Sequence, residues 1–493
     1  MKIENNSSVS IAIIGAGLSG LLMGIELKKA GITNFTIYEK DDDVGGTWKI
    51  NNYPGLHCDI PSHLYAYSFE PNPNWQMPYA AQADIHAYFQ HCAKKYGLLP
   101  HIRFNTDIRK AEYESDSGSW CLETDSGESF QHRLLIGASG GLTAPNLPRI
   151  EGLDIFQGKS WHSAEWQHDF DLTDKRIAVI GSAASAIQIV PQVAQSAKEL
   201  YVFQRTPNWV LPRNNVPYKQ TTKEAFADPA TGALKHHQRT LYRNSFLSQR
   251  VFKREEKAVS TMRRIADKHM KRAISDPALI AQLTPEYEPG CKRLLVSDDF
   301  YPTLGKDHVH LINSAVEGLS ETAVLSADGK ETEVDVVIFC TGYKLGGRAD
   351  GSPAMEIVGP DKTLRQTLRA RPEAYRGIAI PGIPNYFTIC GLNGLVGYTA
   401  VIASAEIHTD YLCRLIQMFE QQNIRGIDAK VDSTILYNQS LQEQLKDMVW
   451  SSGCSNYYLD RNGFNRSLYP GTLSQLRREY KEIILSDFNI EPF

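Results

Sequence analysis

The sequence predicts an α/β protein with two Rossmann-like dinucleotide-binding domains and a helical insertion in the second of them. Two copies of a strand, glycine turn and helix pattern predict the domains, and a charged stretch of helical periodicity predicts the insertion. The chain has 493 residues, which suggests about three domains at roughly 150 residues each. Its net charge of −4 (52 Lys plus Arg, 56 Asp plus Glu) argues against a nucleic-acid binder.

The first copy begins with the apolar run at 11–14, which predicts a buried strand. The motif G-A-G-L-S-G at 15–20 follows, and then a helix through about Ala30. Small residues in such a turn let the backbone approach a pyrophosphate at a helix N-terminus. Glu39 follows the predicted second strand at 35–38, where an acidic side chain accepts hydrogen bonds from a ribose 2′-hydroxyl. The first site is therefore predicted to bind FAD or NAD.

The second copy lies 166 residues later, with the apolar run at 177–180 and the motif G-S-A-A-S-A at 181–186. Ala183 and Ala186 stand where glycines are usual, so glycine turns that serve only tight packing remain the alternative. Arg205 ends the second strand of this copy, and an arginine there pairs with a 2′-phosphate. The second site is therefore predicted to bind NADP.

The predicted FAD-binding domain is discontinuous and comprises residues 1–145 and 342–493. The NADP-binding domain comprises residues 150–219 and 286–341, and it ends with the buried strand at 335–339. Residues 220–285 are charged and helical in period, and they form the predicted insertion. The uncharged stretch at 377–405 contains two prolines and five glycines, which predicts buried core rather than a membrane span.

The eight cysteines are scattered, and the sequence has no C-x-x-C pair. This spacing excludes a local zinc knuckle and a disulfide reductase, and it predicts isolated, reduced thiols in a cytoplasmic protein without a metal site. The first ten residues are polar and carry no apolar run typical of a signal peptide.

These features and the segment between the two glycine motifs resemble Baeyer–Villiger monooxygenases, which are flavoproteins that use FAD and NADPH. The family fingerprint F-x-G-x-x-x-H-x-x-x-W is matched by Phe156, Gly158, His162 and Trp166. Gln167 replaces the Pro or Asp that usually follows. Related N- and S-oxygenating flavoproteins usually carry Tyr or Phe in place of the tryptophan, so Trp166 favours the ketone-oxidising branch.

The resemblance also implies which residues bind the cofactors. The implied FAD-binding residues are Gly15, Gly17, Ser19, Gly20, Glu39, Gly46, Thr47, Trp48, Asp59, Ile60, Tyr65 and Ile108. The implied NADP-binding residues are Gly181, Ser182, Ala183, Ser185, Gln188, Arg205, Thr206, Lys292 and Arg293. The segment G-L-N-G at 391–394 departs from the family's usual G-P-N-T-G-L-G-H beside the flavin.

In this family NADPH reduces the flavin, oxygen adds to give a flavin peroxide, and the peroxide converts a ketone to an ester or lactone. The resemblance implies that Arg293 stabilises the anionic peroxide, since a guanidinium stays protonated at any working pH. It implies that Asp59 lies beside the flavin and orients Arg293, and that His162 acts as an interdomain hinge.

The resemblance thus implies an oxidoreductase that acts on a small-molecule ketone and O2, without nucleic acid or a transmembrane segment, as a monomer or homo-oligomer. An N- or S-oxygenating flavin monooxygenase is the alternative enzyme. A dinucleotide-binding sensor without oxygen chemistry is a third hypothesis, because of the two alanines in the second motif and the altered segment at 391–394.

Overall fold

The computed structural model describes residues 9–142, 144–344, 354–460 and 462–493. Two five-stranded parallel sheets organise the molecule. The first sheet contains, in spatial order, the strands Tyr386–Thr388, Leu134–Gly137, Ile11–Ile14, Phe35–Tyr38 and Ile102–Arg103. The second contains Val309–Ile312, Glu199–Phe203, Arg176–Ile180, Val336–Phe339 and Lys159–His162.

The two repeats predicted from the sequence lie at the centres of these two sheets. Ile11–Ile14 is buried throughout and pairs in parallel with strands on both sides, as an apolar run without alternation predicts. Arg176–Ile180 has the same place in the second sheet, between Glu199–Phe203 and Val336–Phe339. The predicted α/β fold with two parallel sheets is therefore confirmed.

Smaller antiparallel sheets flank the parallel ones. A four-stranded sheet contains Glu356–Val358, Ile108–Glu114, Ser119–Thr124 and Ser129–His132, and a three-stranded sheet contains Val316–Leu319, Ala323–Ser326 and Glu331–Glu333. Two-stranded pairs join Val210–Leu211 to Leu295–Val296, Ala144–Pro145 to Tyr343–Lys344, Leu395–Val396 to Leu468–Tyr469, and Ile424–Ala429 to Phe488–Pro492. The pair at Ala144–Pro145 lies where the chain passes twice between the parallel sheets, so both crossings run side by side.

Helices cover the sheets and fill the segment between 220 and 285. The helices of that segment are Gln220–Ala227, Ala233–Phe252, Glu256–Ala273 and Pro277–Leu283, in agreement with the predicted helical insertion. The remaining helices are Leu18–Lys29, Thr47–Ile50, Gln82–Lys95, Ala186–Val193, Phe300–Leu304, Leu364–Ala370, Val401–Gln421, Val431–Lys446 and Leu473–Glu479. Within the described ranges, no helix is both long and apolar enough to cross a membrane.

Most of the stretch at 377–405 is buried, as its composition predicts. It supplies Tyr386–Thr388 to the edge of the first sheet and then enters Val401–Gln421, whose apolar residues belong to the largest hydrophobic core. The domain boundaries themselves remain a prediction, although the strand membership of the two sheets agrees with them.

Candidate active site

The first glycine motif forms the turn between Ile11–Ile14 and the helix Leu18–Lys29. Gly15 donates its N–H to the carbonyl of Tyr38, and Ser19 and Gly20 lie in the first helical turn, which no side chain caps. Gly46 packs directly across from Gly17, so a Cβ at position 46 would lie 3.1 Å from the Cα of Gly17. This side-chain-free cradle with open helical N–H groups fits a pyrophosphate.

Glu39 lies beside that cradle, at the end of Phe35–Tyr38. Its carboxylate accepts hydrogen bonds from the N–H of Ala16 (2.6 Å) and of Asp41 (3.0 Å), and the side chain is buried. Burial raises the pKa of Glu39 above its usual range. The carboxylate is therefore fixed next to the motif, where a ribose hydroxyl would reach it.

The second glycine motif has the same construction. Gly181 follows Arg176–Ile180 and donates its N–H to the carbonyl of Phe203, and Ala183 and Ser185 precede the helix Ala186–Val193. The amide of Asn208 donates to the carbonyl (3.0 Å) and hydroxyl (3.3 Å) oxygens of Ser182, which holds the turn against the 206–208 segment. The two alanines therefore leave the turn and the uncapped helix in place.

Two cations lie near this second turn. Arg205 is exposed, and neither it nor Lys292 forms an ion pair with any residue in the described ranges. The Lys292 amine lies 4.9 Å from the ring centre of Tyr287, whose hydroxyl donates to the carbonyl of Pro207 next to Thr206. Burial, and then the charge of Arg205, lowers the pKa of Lys292. Two neighbouring cations without an anionic partner fit a phosphate.

Arg293 and Asp59 form a bidentate ion pair although they lie 234 residues apart in the chain. Nε and Nη2 of Arg293 donate to the two carboxylate oxygens at 2.6 and 2.8 Å. The Asp59 charge raises the pKa of Arg293 well above its usual value. The Arg293 side chain is 41% exposed, so the guanidinium edge carrying Nη1 stays available to a ligand.

The remaining residues predicted to contact FAD lie around this pair and the first cradle. Thr47 and Trp48 begin the short helix Thr47–Ile50, and the Trp48 indole N–H donates to the Tyr65 hydroxyl at 3.0 Å. Ile60 directly follows Asp59, and its N–H donates a hydrogen bond to the Cys58 sulfur. Ile108 begins its strand and is buried in the hydrophobic core behind the first sheet. Packing alone therefore also explains an isoleucine at this position.

Gln188 connects the two halves of the site. Its side chain accepts a hydrogen bond from the hydroxyl of Tyr53 (3.1 Å) and donates to the carbonyl of His57 (3.0 Å). The backbone of Gly55 packs on the same helical turn, because a Cβ there would lie 2.6 Å from the carbonyl oxygen of Gln188. The segment that carries Asp59 is thus fastened to the second nucleotide motif, a contact for which the sequence carries no local signal.

The fingerprint residues lie where the chain crosses between the two sheets. The ring of Phe156 and the carbonyl of Asp335 cover Gly158, so a Cβ at position 158 would lie 2.5 Å from each. Trp166 packs edge-on against Trp161 at 5.8 Å.

His162 ends its strand, is fully buried and accepts a hydrogen bond at Nδ1 from the N–H of Ala164. Burial lowers the pKa of His162, and its ring packs edge-on against Tyr343 of the second crossing. The contact between the two crossings is compatible with the predicted hinge role, which remains a prediction.

The expectation of isolated, reduced thiols is wrong for two of the eight cysteines. Cys291 and Cys454 form a disulfide across 163 residues, and the other six are free. Tyr457 and Tyr458, which lie shortly after Cys454 in the chain, are among the titratable groups around Arg293. Sequence spacing alone cannot assign such a pairing, and the tyrosines were not predicted as site residues.

A model of flavin-binding monooxygenase-like proteins matches residues 8–347. The chain belongs to the flavin-binding monooxygenase-like family. It is 37% identical over 489 residues to a Baeyer-Villiger monooxygenase of Streptomyces coelicolor, covering 98% of this chain and 92% of that relative. It is 36% identical over 486 residues to a Baeyer-Villiger monooxygenase of Pseudomonas aeruginosa, covering 97% and 91% of the two chains.

Solved structures of this family have the same fold. An oxidised steroid monooxygenase bound to NADP superposes with a TM-score of 0.86 at 27% identity, covering 98% of this chain and 100% of the other. A closed cyclohexanone monooxygenase superposes with a TM-score of 0.85 at 24% identity over 99% of this chain, which supports the fold alone. The resemblance to Baeyer–Villiger monooxygenases that the motifs indicate is therefore confirmed.

The segment at 391–394, which departs from the usual family motif, is held by the C-terminal part of the chain. Asn393 is buried, and its amide donates to the carbonyls of Asn465 (2.7 Å) and Leu468 (2.9 Å). The N–H of Cys390 donates to Nδ1 of His408 at 3.0 Å. The departure therefore preserves an ordered, hydrogen-bonded loop.

In the described part of the chain, no cluster of His, Cys, Asp or Glu could hold a metal ion.

Proposed function

We propose that this protein is a Baeyer–Villiger monooxygenase that uses FAD, NADPH and O2 to convert a ketone to an ester or lactone. The observation that carries the proposal is the Arg293–Asp59 pair, which presents a permanently charged, partly exposed guanidinium beside the segment that Gln188 fastens to the second glycine motif. The relatives named Baeyer-Villiger monooxygenase, which align over nearly the whole chain, support it.

The cradle of Gly15, Gly17 and Gly46 would hold the FAD pyrophosphate, and Glu39 would bind the adenosine ribose. Trp48 and Tyr65, joined by a hydrogen bond, would lie against the isoalloxazine end. When bound, FAD accepts a hydride from NADPH and supplies, with O2, the oxidising equivalent for the ketone. The chain's task is then to bind, orient and stabilise charge.

Arg205, Thr206 and Lys292 would bind the 2′-phosphate of NADPH, because two neighbouring cations lie there without an anionic partner among the residues that the structure describes. Gly181, Ser182, Ala183 and Ser185 would face the pyrophosphate at the uncapped start of Ala186–Val193. Gln188 would fix the position of the bound dinucleotide relative to the segment that carries Asp59, because its side chain hydrogen-bonds that segment at His57.

Arg293 would stabilise negative charge on oxygen at the reacting centre. Its raised pKa keeps the guanidinium protonated at any working pH, and Asp59 occupies Nε and Nη2, so the Nη1 group is left for a ligand. Removing one preorganised donor of this kind from other enzymes costs about 3–4 kcal/mol. An N- or S-oxygenating enzyme, which works with an electrophilic oxygen, does not need this cation.

A substrate panel tests the proposal against that alternative. The purified protein, loaded with FAD and supplied with NADPH, is incubated with cyclic, linear and aryl ketones, and with an amine and a thioether. We expect an ester or lactone from at least one ketone, identified by mass spectrometry. Oxidation of the amine or thioether with no ester from any ketone would contradict the proposal in favour of N- or S-oxygenation.

We also propose that the protein works in the cytoplasm, as a monomer or homo-oligomer. Six free cysteines support a reducing compartment, where stable disulfides are rare. Cell fractionation and light scattering of the purified protein test the two statements. Recovery of the protein outside the cytoplasm would contradict the first.

A further inference from the structure

The loop that carries Arg293 has no regular secondary structure to hold it. It extends from the end of the helix Pro277–Leu283 to the strand Leu295–Val296. Side-chain links fasten it instead: Arg254 pairs with Glu288 through two hydrogen bonds of 3.0 and 2.6 Å, Arg293 pairs with Asp59, the Tyr287 hydroxyl donates to the carbonyl of Pro207, and Cys291 is bonded to Cys454. The disulfide lies two residues from Arg293 and is the only covalent link among them.

The other end of the disulfide, Cys454, belongs to the C-terminal segment that also carries Asn456, Tyr457 and Tyr458. Asn456 holds this segment, because its amide donates to the carbonyl of Trp450 (3.0 Å) and lies within reach of both disulfide sulfurs, 3.8 Å from Cys291 and 3.6 Å from Cys454. Tyr457 and Tyr458 follow at once, with their hydroxyls 2.9 Å apart. The disulfide thereby fixes the Arg293 loop against the segment that brings these hydroxyls near the guanidinium.

The two cysteines differ in burial. Cys291 is fully buried in the main hydrophobic core, whereas Cys454 is only half-buried in an irregular segment beside an exposed Gly453. Cys454 is therefore the more exposed end of the bond, and we expect a thiol to attack there. Because disulfides in reducing compartments are usually transient or redox-sensing, a bond at this place is suited to exchange.

We propose that the Cys291–Cys454 disulfide is a positioning element for Arg293 that thiol–disulfide exchange opens and closes. This inference rests on the proposed function. A dithiol opens the bond: one of its thiolates attacks the Cys454 sulfur, Cys291 leaves as a thiolate, and the second thiol of the reagent completes its own cyclic disulfide. Cys291 and Cys454 are each reduced and end as protonated thiols, and the dithiol is oxidised by the same two electrons. Without the bond, the Arg293 loop keeps its two ion pairs and the Tyr287 hydrogen bond but no covalent link.

The first measurement counts thiols in the denatured protein, purified without reductant and then treated with dithiothreitol. With eight cysteines in the chain, we expect six titratable thiols before treatment and eight after it. Cys454→Ser should give seven thiols in both states. Eight thiols in the untreated wild type would overturn the proposal.

The second measurement compares turnover and amide hydrogen exchange of the oxidised and reduced wild-type holoenzyme. Because small misplacements of catalytic groups cost up to about a hundredfold in rate, we expect kcat for ester formation to fall about ten- to a hundredfold on reduction. The KM for NADPH should rise as well, because Lys292 lies in the same loop, and exchange at residues 288–294 should accelerate. Cys454→Ser should behave like the reduced protein whether or not dithiothreitol is present.

Two variants separate positioning from a general structural effect. Cys121→Ser removes a half-buried free thiol in the flanking sheet, and it should leave the redox response unchanged. In an Arg293→Ala background, which is expected to make no ester, reduction should still accelerate exchange at residues 288–294, because the disulfide holds the loop and not the guanidinium alone. A reduced wild type with all eight thiols free, kcat within twofold and unchanged exchange would overturn the proposal. Accelerated exchange in a protein that makes no ester in either state would support the positioning role and refute the proposed function instead.

Discussion

The contribution of Asp59 can be tested by Asp59→Asn, which keeps the size of the side chain and removes its charge. The carboxylate accepts two hydrogen bonds from Arg293, whereas an asparagine accepts with one oxygen and turns an NH2 group toward the guanidinium. Hydrogen bonds to charged groups contribute about 1.5–3 kcal/mol each, and the partial exposure of the pair reduces this toward about 1–2 kcal/mol. If this energy orients Arg293, the rate of ester formation falls about 5- to 30-fold.

The assay measures ester formation under saturating NADPH, together with the FAD content of each preparation. The matched control is Asp335→Asn, because Asp335 also holds an arginine by its side chain, Arg176, which begins the central strand of the second sheet at the end opposite to the glycine turn. That control should lower stability without a comparable loss in kcat. Ester formation by Asp59→Asn within twofold of wild type, at full FAD content, would refute the orienting role.

Three further predictions concern the second nucleotide site, the crossing between the sheets and a buried carboxyl group. Arg205→Ala should raise the KM for NADPH about ten- to a hundredfold and leave the KM for NADH within about twofold. A coenzyme titration that shows equal changes in the two KM values would contradict a contact with the 2′-phosphate. Gly158→Ala should lower the free energy of unfolding by about 1–3 kcal/mol, because the new methyl group would meet the Phe156 ring and the carbonyl of Asp335. Urea unfolding measures this change, and an unfolding free energy equal to that of the wild type would contradict it. Burial raises the pKa of Asp428 to about 6, so its neutral form favours the folded state. Wild-type stability relative to Asp428→Asn should therefore fall as pH rises from about 4 to about 6, and a constant difference in unfolding free energy would contradict this.

The repeated parts of the fold could be predicted from the sequence because their signals are local. The apolar runs at 11–14 and 177–180 each lead directly into a glycine turn, and both became central strands of parallel sheets. Glu39 and Arg205 were located by their distance from those turns. Each of these predictions depends on a few tens of consecutive residues, a span over which strand and helix periodicity are readable.

The contacts that complete the candidate site could not be read in this way. Nothing local pairs Asp59 with Arg293, and only the family resemblance brought the two together. The Gln188 contacts with Tyr53 and His57 span more than a hundred residues, and they depend on how the two sheets pack. The disulfide was missed because eight cysteines allow many pairings, of which only the fold selects one.

The most direct test of the proposed chemistry follows the oxygen atom. The FAD-loaded protein is supplied with NADPH, a ketone that it accepts and ¹⁸O2, and the product is analysed by mass spectrometry beside Arg293→Ala. We predict one ¹⁸O atom in the ester from the wild type, and FAD binding without ester from the variant. Unlabelled ester, or labelled ester from Arg293→Ala at the wild-type rate, would contradict oxygen transfer that depends on Arg293.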